Sequence, residues 1–263
     1  MEQRTRDGVK LAFEQTGSGS PPLVLVHGWT CNHRYFAPQR EHFAKRHRVV
    51  SVDLCGHGES DAAPGDYSIA GFADDVAWLC GELGLEKPVV IGHSMGGMTA
   101  LEVAARHPDL PSAIVVCDSP VAVPPALAGN LAAVAAELHK PNWRPAHRAF
   151  LSDALFIAAD DPKRKQQILA DMTSAPDRVT RGCFDAIMKS NIDAAAARCK
   201  VPFLYLAAAA PLTDFAKLRE LCPHVVIGQT VGAGHFHQLE VPEQVNAMID
   251  RFFDVCADVC ALR

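Results

Sequence analysis

The stretch Val89-Val90-Ile91-Gly92-His93-Ser94-Met95-Gly96-Gly97 decides the fold of this chain. An apolar run typical of a buried strand ends in the pattern Gly-x-Ser-x-Gly, and a helical pattern follows it. A strand that turns this sharply into a helix forces Ser94 into a strained conformation, and only glycine at 92 and 96 leaves room for the crossing backbones. The turn exposes the Ser94 hydroxyl above the sheet, so the pattern predicts a nucleophile.

Two other apolar runs end in glycine-rich loops. Pro22 to Val26 leads into His27-Gly28-Trp29, and Arg48 to Leu54 leads into Gly56-His57-Gly58. Parallel strands that are buried on both faces have this near-continuous apolar pattern, and they end at one edge of the sheet. We therefore expect both loops at the same edge as Ser94.

Together with Gly234-His235-Phe236 near the C-terminus, these motifs resemble the α/β-hydrolase superfamily, and the resemblance covers nearly the whole chain. It implies an α/β fold, the α/β-hydrolase fold, with a mostly parallel, doubly wound sheet. It leaves the substrate open, because the superfamily hosts esterases, lactonases, dehalogenases, peroxidases, C–C hydrolases and cofactor-free dioxygenases.

The alternation of predicted elements agrees with such a sheet. After the fifth strand a prolyl segment opens about 80 residues of helical pattern, which predicts a helical cap over 119–200 inserted between two parts of the core domain, 1–118 and 201–263. Strands are predicted near 9–15, 22–27, 47–53, 88–92, 113–117, 201–206 and 225–227, and helices near 35–45, 69–83, 95–107 and 242–255.

Composition fits one catalytic domain. A chain of 263 residues that is 49% hydrophobic can bury one large core plus an insertion, and no apolar run approaches the roughly 18 residues of a membrane span. The N-terminal residues lack an apolar signal segment, which favours a cytoplasmic protein. The net charge of −5 is mild and no basic cluster occurs, so we expect a small-molecule substrate and neither nucleic acid nor membrane as a partner. The oligomeric state stays open.

Cysteines and histidines do not form recognisable metal or disulfide patterns. The nine cysteines are odd in number and include no Cys-x-x-Cys pair, and Cys256 and Cys260 are four apart on a predicted helix, so reduced thiols are expected. The twelve histidines are scattered without a His-x-x-x-His pair. We therefore expect no metal and no organic cofactor.

A serine hydroxyl is a poor nucleophile at neutral pH unless a neighbouring imidazole accepts its proton. His235 is the predicted base, since it follows a glycine-containing loop after the last strand and the segment behind it resembles the one behind the catalytic histidine of the superfamily. His237 is expected on the opposite side of an extended segment, in a packing role. His93, the usual neighbour of the nucleophile in the superfamily, is given no role in proton transfer.

The acid departs from the common pattern of the superfamily. In most relatives it follows the strand matched here by Val201 to Leu206, but positions 207 to 210 are all alanine, and alanine cannot orient an imidazole. Asp118, directly after the preceding strand, resembles an alternative layout of the superfamily and is the first candidate. Asp214 is the second, although it also fits the N-cap of a helix. A Ser-His pair without an acid is the third possibility.

The resemblance places the oxyanion hole at the backbone N–H groups of Trp29 and Met95. Apolar residues of the cap must also pack over the Ser94 site, and we predict Trp29, Trp143 and Phe184 as substrate-binding side chains.

These residues predict a serine hydrolase that cleaves a small to medium, largely apolar carboxylic ester or lactone through an acyl-enzyme. Two other classes stay open. A cofactor-free dioxygenase acting on a heteroaromatic substrate, or a C–C bond hydrolase, would use the same residues. A non-catalytic binder with a hydrolase fold would explain the missing carboxylate at 207–210.

Overall fold

The computed structural model describes residues 1–63 and 65–260, with side chains described up to residue 256. Eight strands form one sheet, and the helices that follow them cover both faces. The strands are β1 Glu2–Arg6, β2 Val9–Thr16, β3 Leu23–Val26, β4 Val49–Val52, β5 Val89–His93, β6 Ala113–Cys117, β7 Phe203–Ala207 and β8 Val226–Gln229. The helices are α1 Ala37–Phe43, α2 Ile69–Glu82, α3 Met95–Arg106, α4 Pro125–Leu138, α5 Arg144–Ala154, α6 Pro162–Ser174, α7 Asp177–Lys189, α8 Ile192–Arg198, α9 Phe215–Leu221, α10 His237–Glu240 and α11 Pro242–Cys260.

The sheet has the order β1-β2-β4-β3-β5-β6-β7-β8. β2 pairs antiparallel with β1 and β4, whereas all pairs from β4 to β8 are parallel. The predicted mostly parallel, doubly wound sheet is confirmed. β5 lies in its middle, and the register pairs His93 at the end of β5 with Cys117 at the end of β6. The residues that follow these two strands therefore leave the sheet at the same level.

Apolar residues on both faces of the sheet explain why the strands are near-continuous hydrophobic runs. On β5, Val89 and Ile91 face a core completed by α1 and α11, while Val90 faces a second core completed by α2, α3 and the inserted helices. Side chains alternate between the faces of a strand, so a strand buried on both faces needs apolar residues throughout. No helix in the described part of the chain is long and apolar enough to cross a membrane.

The segment between β6 and β7 contains five helices, α4 to α8. Contacts join α4 to α5 and α7, and α5 to α6. The last of the five differs, because α8 packs against α3 of the core. Within the predicted cap of 119–200, the helices that pack together are therefore α4 to α7.

Three local expectations differ from the structure. β1 was not expected, because its residues are polar and exposed and it depends on pairing with β2 for its backbone hydrogen bonds. The segment after His235 is the short helix α10 and not an extended chain, so that expectation is wrong. The helix predicted to end near 255 continues to Cys260.

The eight cysteines up to residue 256 are free thiols, and the side chain of Cys260 lies outside the described residues.

Candidate active site

The turn from β5 into α3 has the strain that the sequence predicts. Ser94 adopts φ 55° and ψ −120°, a backbone conformation that a non-glycine residue rarely takes. A Cβ on Gly92 would lie 2.0 Å from the carbonyl oxygen of Gly96, and a Cβ on Gly96 would lie 2.1 Å from the carbonyl oxygen of Val26. Both glycines are therefore required by close backbone approach.

The Ser94 hydroxyl is not used to cap the helix that it precedes. Ser94 occupies the N-cap position of α3, yet its side chain makes no capping hydrogen bond. The backbone of Ser94 is held by another hydrogen bond, in which Ser119 Oγ donates to the Ser94 carbonyl oxygen at 2.6 Å. No hydrogen bond joins the Ser94 side chain to another described residue, and Ser94 lines the cavity described below.

His235 and Asp118 form a buried pair. The distance between His235 Nδ1 and Asp118 Oδ2 is 2.7 Å, and both side chains are almost fully buried. An ionised carboxylate only accepts, so Nδ1 carries the proton and Nε2 is left as an acceptor. The other carboxylate oxygen, Oδ1, accepts from the backbone N–H of Ala208 at 3.2 Å. The alanine loop thus supplies a backbone donor to the acid instead of a carboxylate.

Asp214 does not contact His235. Its carboxylate accepts from the backbone N–H groups of Ala216 and Lys217, at 2.9 and 3.1 Å, and caps α9. The structure thus gives Asp214 the capping role that was its alternative interpretation. Among the described residues, Asp118 is the only carboxylate hydrogen-bonded to the His235 ring.

Two further histidines lie near His235 but contact it differently. His93 Nε2 donates to the backbone oxygen of His235 at 2.9 Å, and burial lowers the pKa of His93 well below its ordinary value. The lowered pKa favours the neutral ring, which holds the His235 loop through this hydrogen bond. His237 lies at the start of α10, where its Nδ1 is 3.1 Å from Thr230 Oγ1. His93 also lines the cavity that contains Ser94, but His235 is the ring that is hydrogen-bonded to Asp118; His237 does not line that cavity.

Of the two predicted oxyanion donors, Met95 follows Ser94 in the chain and Trp29 lines the same cavity as Ser94. Met95 begins α3, so its N–H is among those that have no partner within the helix, and it adjoins the positive end of the helix dipole. The N–H of Trp29 is part of the loop after β3. That loop is held by His27, whose Nε2 accepts from Leu54 N at 3.0 Å while its Nδ1 donates to Gly28 O at 2.7 Å. Neither the Trp29 nor the Met95 N–H donates to another described residue.

A cavity of about 100 Å³ contacts both Ser94 and His235. Its other walls are mainly apolar side chains of the loop after β3, of helices α4 to α7 and of the loops after β7 and β8. These include Trp29, Leu127, Leu131, Phe150, Leu155, Met172, Phe184, Ile187, Leu212 and Phe236. The Trp29 indole connects the loop after β3 to α7, since its Nε1 donates to Thr180 O at 2.8 Å and its ring lies 4.9 Å from that of Phe184.

Trp143, predicted to bind substrate, is not in the cavity wall. Its ring lies 5.4 Å from that of His147, and the guanidinium groups of Arg144 and Arg181 lie over it at 4.8 and 5.0 Å. The indole is therefore buried by packing between residues of α5 and α7. The expectation for Trp143 is corrected, whereas Trp29 and Phe184 do line the cavity.

Sequence reasoning missed a contact between the segment that joins α5 to α6 and the His235 loop. The buried carboxylate of Asp160 accepts from Gly234 N and Ile157 N, both at 2.8 Å, and His235 N donates to Leu155 O at 3.0 Å. A Cβ on Gly234 would come within 2.4 Å of Asp160 Oδ2. The only sequence signal was the glycine before His235. A glycine there indicates that another group approaches the backbone closely, but it does not identify that group.

Buried histidines predict a loss of stability in mild acid. Burial lowers the pKa of His237 from 6.5 to about 4, and that of His57 to about 3. Between those values and 6.5 the unfolded chain binds more protons, so the free energy of unfolding should fall as the pH falls from about 6.5 to 4, by up to about 1.4 kcal/mol per pH unit for each ring. Urea unfolding at pH 7 and pH 5 measures this. His237→Asn should reduce the slope, with His139→Asn, at an exposed ring, as the control, and an unchanged slope would contradict the expectation.

Comparison with known proteins assigns the chain to the α/β-hydrolase family. The profile of a family described as alpha/beta hydrolase fold matches residues 21–242. An AB hydrolase superfamily protein of Bacillus subtilis is 30% identical over 263 aligned residues, which cover 95% of this chain and 97% of that one. This chain spans only 34% of the length of an uncharacterized Mycobacterium tuberculosis protein with which it shares 34% identity over 116 residues.

Solved structures of similar proteins cover nearly the whole chain. An esterase from Thermogutta terrifontis is 26% identical, covers 96% of both chains and superposes with a TM-score of 0.82. An enzyme that degrades N-acyl homoserine lactones is also 26% identical, covers 95% of this chain and 100% of its own, and has a TM-score of 0.82.

Proposed function

Since the chain belongs to the α/β-hydrolase family, we propose that it is a serine hydrolase that cleaves carboxylic esters or lactones through an acyl-enzyme. The observation that carries this proposal is the strained Ser94, which lines the same cavity as His235. The Nδ1 atom of His235 is hydrogen-bonded to the buried carboxylate of Asp118 at 2.7 Å. This arrangement contains a nucleophile, a base and the group that orients the base.

Each residue has a distinct role in the proposed reaction. His235 Nε2 takes the proton of the Ser94 hydroxyl as its oxygen attacks the substrate carbonyl, and later gives the proton to the leaving alcohol. The Asp118 carboxylate stabilises the imidazolium that forms in between. The N–H groups of Trp29 and Met95 donate to the oxyanion, which is worth about 10²–10³ in kcat for one such donor in a serine protease. A water then hydrolyses the acyl-enzyme by the same steps.

The cavity supports an apolar acyl group. Its walls contain no Asp, Glu, Lys or Arg side chain, so a charged acyl group would lose hydration without gaining a carboxylate, ammonium or guanidinium partner there. A volume of about 100 Å³ fits a short chain or a small ring more easily than a long one. The esterase and the lactone-degrading enzyme to which the chain is similar act on substrates of the proposed classes.

Labelling with a serine-reactive phosphonate tests the proposal directly. We expect one equivalent of phosphonate to bind covalently to Ser94 and to abolish hydrolysis of p-nitrophenyl acetate and butyrate. Ser119→Ala, which replaces the other serine close to the site, should keep the labelling. Enzyme that hydrolyses esters without being labelled, or that consumes oxygen with a hydroxylated heteroaromatic substrate, would contradict the acyl-enzyme and favour the dioxygenase.

Phe184 is expected to limit the length of the acyl chain. It is 3% exposed and lines the cavity, so Phe184→Leu should raise kcat/KM for p-nitrophenyl butyrate relative to acetate. One methylene fitted into an apolar pocket is worth about 10–200-fold in kcat/KM, and the lower end is expected here. Phe252→Leu is the matched control. Phe252 is also 3% exposed, but it lies on α11 and packs into the core on the other face of the sheet. An equal ratio of butyrate to acetate in both variants would show that Phe184 serves packing alone.

A further inference from the structure

Two thiols and an imidazole meet at the edge of the sheet remote from Ser94. Cys199 lies just before β7, Cys222 at the end of α9 and His224 two residues later, before β8. One ligand atom from each of the three lies within 4.8 Å of the others. The two cysteines are buried, whereas His224 is exposed, so the cluster opens to solvent on one side. It has no part in the proposed hydrolysis, since Ser94 and His235 lie at the carboxyl ends of the strands.

The spacing of the donor atoms is close to that of a tetrahedral zinc site. Zinc–sulfur bonds of about 2.3 Å and zinc–nitrogen bonds of about 2.0–2.1 Å place the two donor atoms about 3.6 Å apart. Cys222 Sγ lies 3.7 Å from His224 Nδ1. Two sulfur ligands of one zinc ion lie about 3.8 Å apart, which a small rotation of one thiol achieves from a starting separation within 4.8 Å.

The second nitrogen of His224 is already held in the way that metal-binding histidines require. His224 Nε2 lies 3.0 Å from the backbone oxygen of Val201, which can only accept. In the neutral ring Nε2 therefore carries the proton and Nδ1 keeps its lone pair. Cys222 Sγ lies 3.5 Å from Nε2 and 3.7 Å from Nδ1, so a rotation of the thiol or the ring must bring the Nδ1 lone pair toward a shared ion. A histidine that ligates a metal almost always donates its other N–H to a carboxylate, a backbone carbonyl or water, which fixes ring and tautomer.

The charges of the cluster fit a divalent ion. Cys199 and Cys222 are both free thiols. Metal binding removes both protons, and two thiolates with a neutral imidazole neutralise a 2+ charge. Thiolate and imidazole are the ligands that zinc prefers, and a water from the open side supplies the fourth.

We propose that Cys199, Cys222 and His224 form a zinc-binding site. The ion would join the segment before β7 to the segment before β8, so its binding should stabilise the fold. Patterns along the chain did not reveal the site, because Cys199 and Cys222 are 23 positions apart and only the pairing of β7 with β8 brings them together.

Titration of the reduced, chelator-treated protein with Co²⁺ and then Zn²⁺ tests the site. We expect one equivalent of Co²⁺ with thiolate charge-transfer bands, displacement by Zn²⁺, a higher Tm with zinc, and unchanged ester hydrolysis. His224→Ala should weaken binding at least about tenfold, whereas His139→Ala, at another exposed histidine, should not.

Three results would contradict the zinc site. Absence of thiolate bands in the wild type, or equal zinc affinity in the wild type and His224→Ala, would overturn the site. So would a Cys199–Cys222 disulfide that persists in reductant. Cys222→Ala should also lose the bands, but His224→Ala keeps the test valid if that variant does not fold, because an exposed ring contributes little to the core. The thiolate bands, the zinc affinity and the Tm do not depend on the serine hydrolase proposal.

Discussion

Ser94→Ala is expected to lower kcat for p-nitrophenyl ester hydrolysis by at least about 10⁴-fold, because the covalent step is lost while the cavity and the oxyanion donors remain. Folding should be intact, since the Ser94 side chain makes no capping hydrogen bond and its backbone is held by Ser119. Initial rates at saturating substrate and a thermal unfolding curve measure both quantities. His235→Ala should match this loss.

The control for the base is the other histidine of the same segment. His237→Ala should reduce turnover far less, since His237 contacts Thr230 and is not in the cavity wall. A variant that lacks both Ser94 and His235 should be little worse than either single variant, because the two act as one unit. Retention of more than about a tenth of wild-type turnover in Ser94→Ala would rule out covalent serine catalysis.

Asp118→Asn should reduce turnover by about 10⁴-fold, the loss known for the same change in a serine protease triad. Asparagine keeps the size of the side chain, but it removes the charge that stabilises the imidazolium, and its amide can hold His235 in the wrong tautomer. The pH dependence of kcat/KM reports the protonation of the catalytic base, so it should change together with the rate. A purely structural defect would lower the rate without changing this pH dependence.

Asp214→Asn is the matched control for the acid. Both residues are aspartates that follow a strand of the sheet, but asparagine caps a helix about as well as aspartate does, so Asp214→Asn should leave turnover close to that of the wild type. The reverse order of the two losses would assign the acid to Asp214. Near-normal turnover in both variants would mean that Ser94 and His235 work without a carboxylate.

Local patterns were sufficient for the strands and for the Ser94 turn. An apolar run such as Val89 to Ile91 is buried on both faces wherever it lies in a parallel sheet, and the glycines around Ser94 meet backbone atoms only a few residues away or on the adjacent strand. β1 and α10 were missed because neither has an apolar repeat of its own. β1 depends on pairing with β2, and α10 is a single turn at the end of the His235 loop.

The choice between Asp118 and Asp214 required the tertiary structure. Four alanines at 207–210 removed the usual acid, yet nothing along the chain ranks two carboxylates by their distance from His235. That distance depends on the sheet order, which places β6 between β5 and β7, and on Asp160, which holds the His235 loop from the cap.

By itself the sequence determined the sheet, the sharp turn at Ser94 and the presence of inserted helices, because these follow from the apolar period, the glycines and the prolines of neighbouring residues. Only the tertiary structure decided that Phe184 and not Trp143 faces the cavity, that Asp118 holds His235, and that Cys199, Cys222 and His224 meet. The physical reason is that periodicity states which side chains share a face of one element, whereas the contact between two faces depends on the packing of segments far apart in the chain.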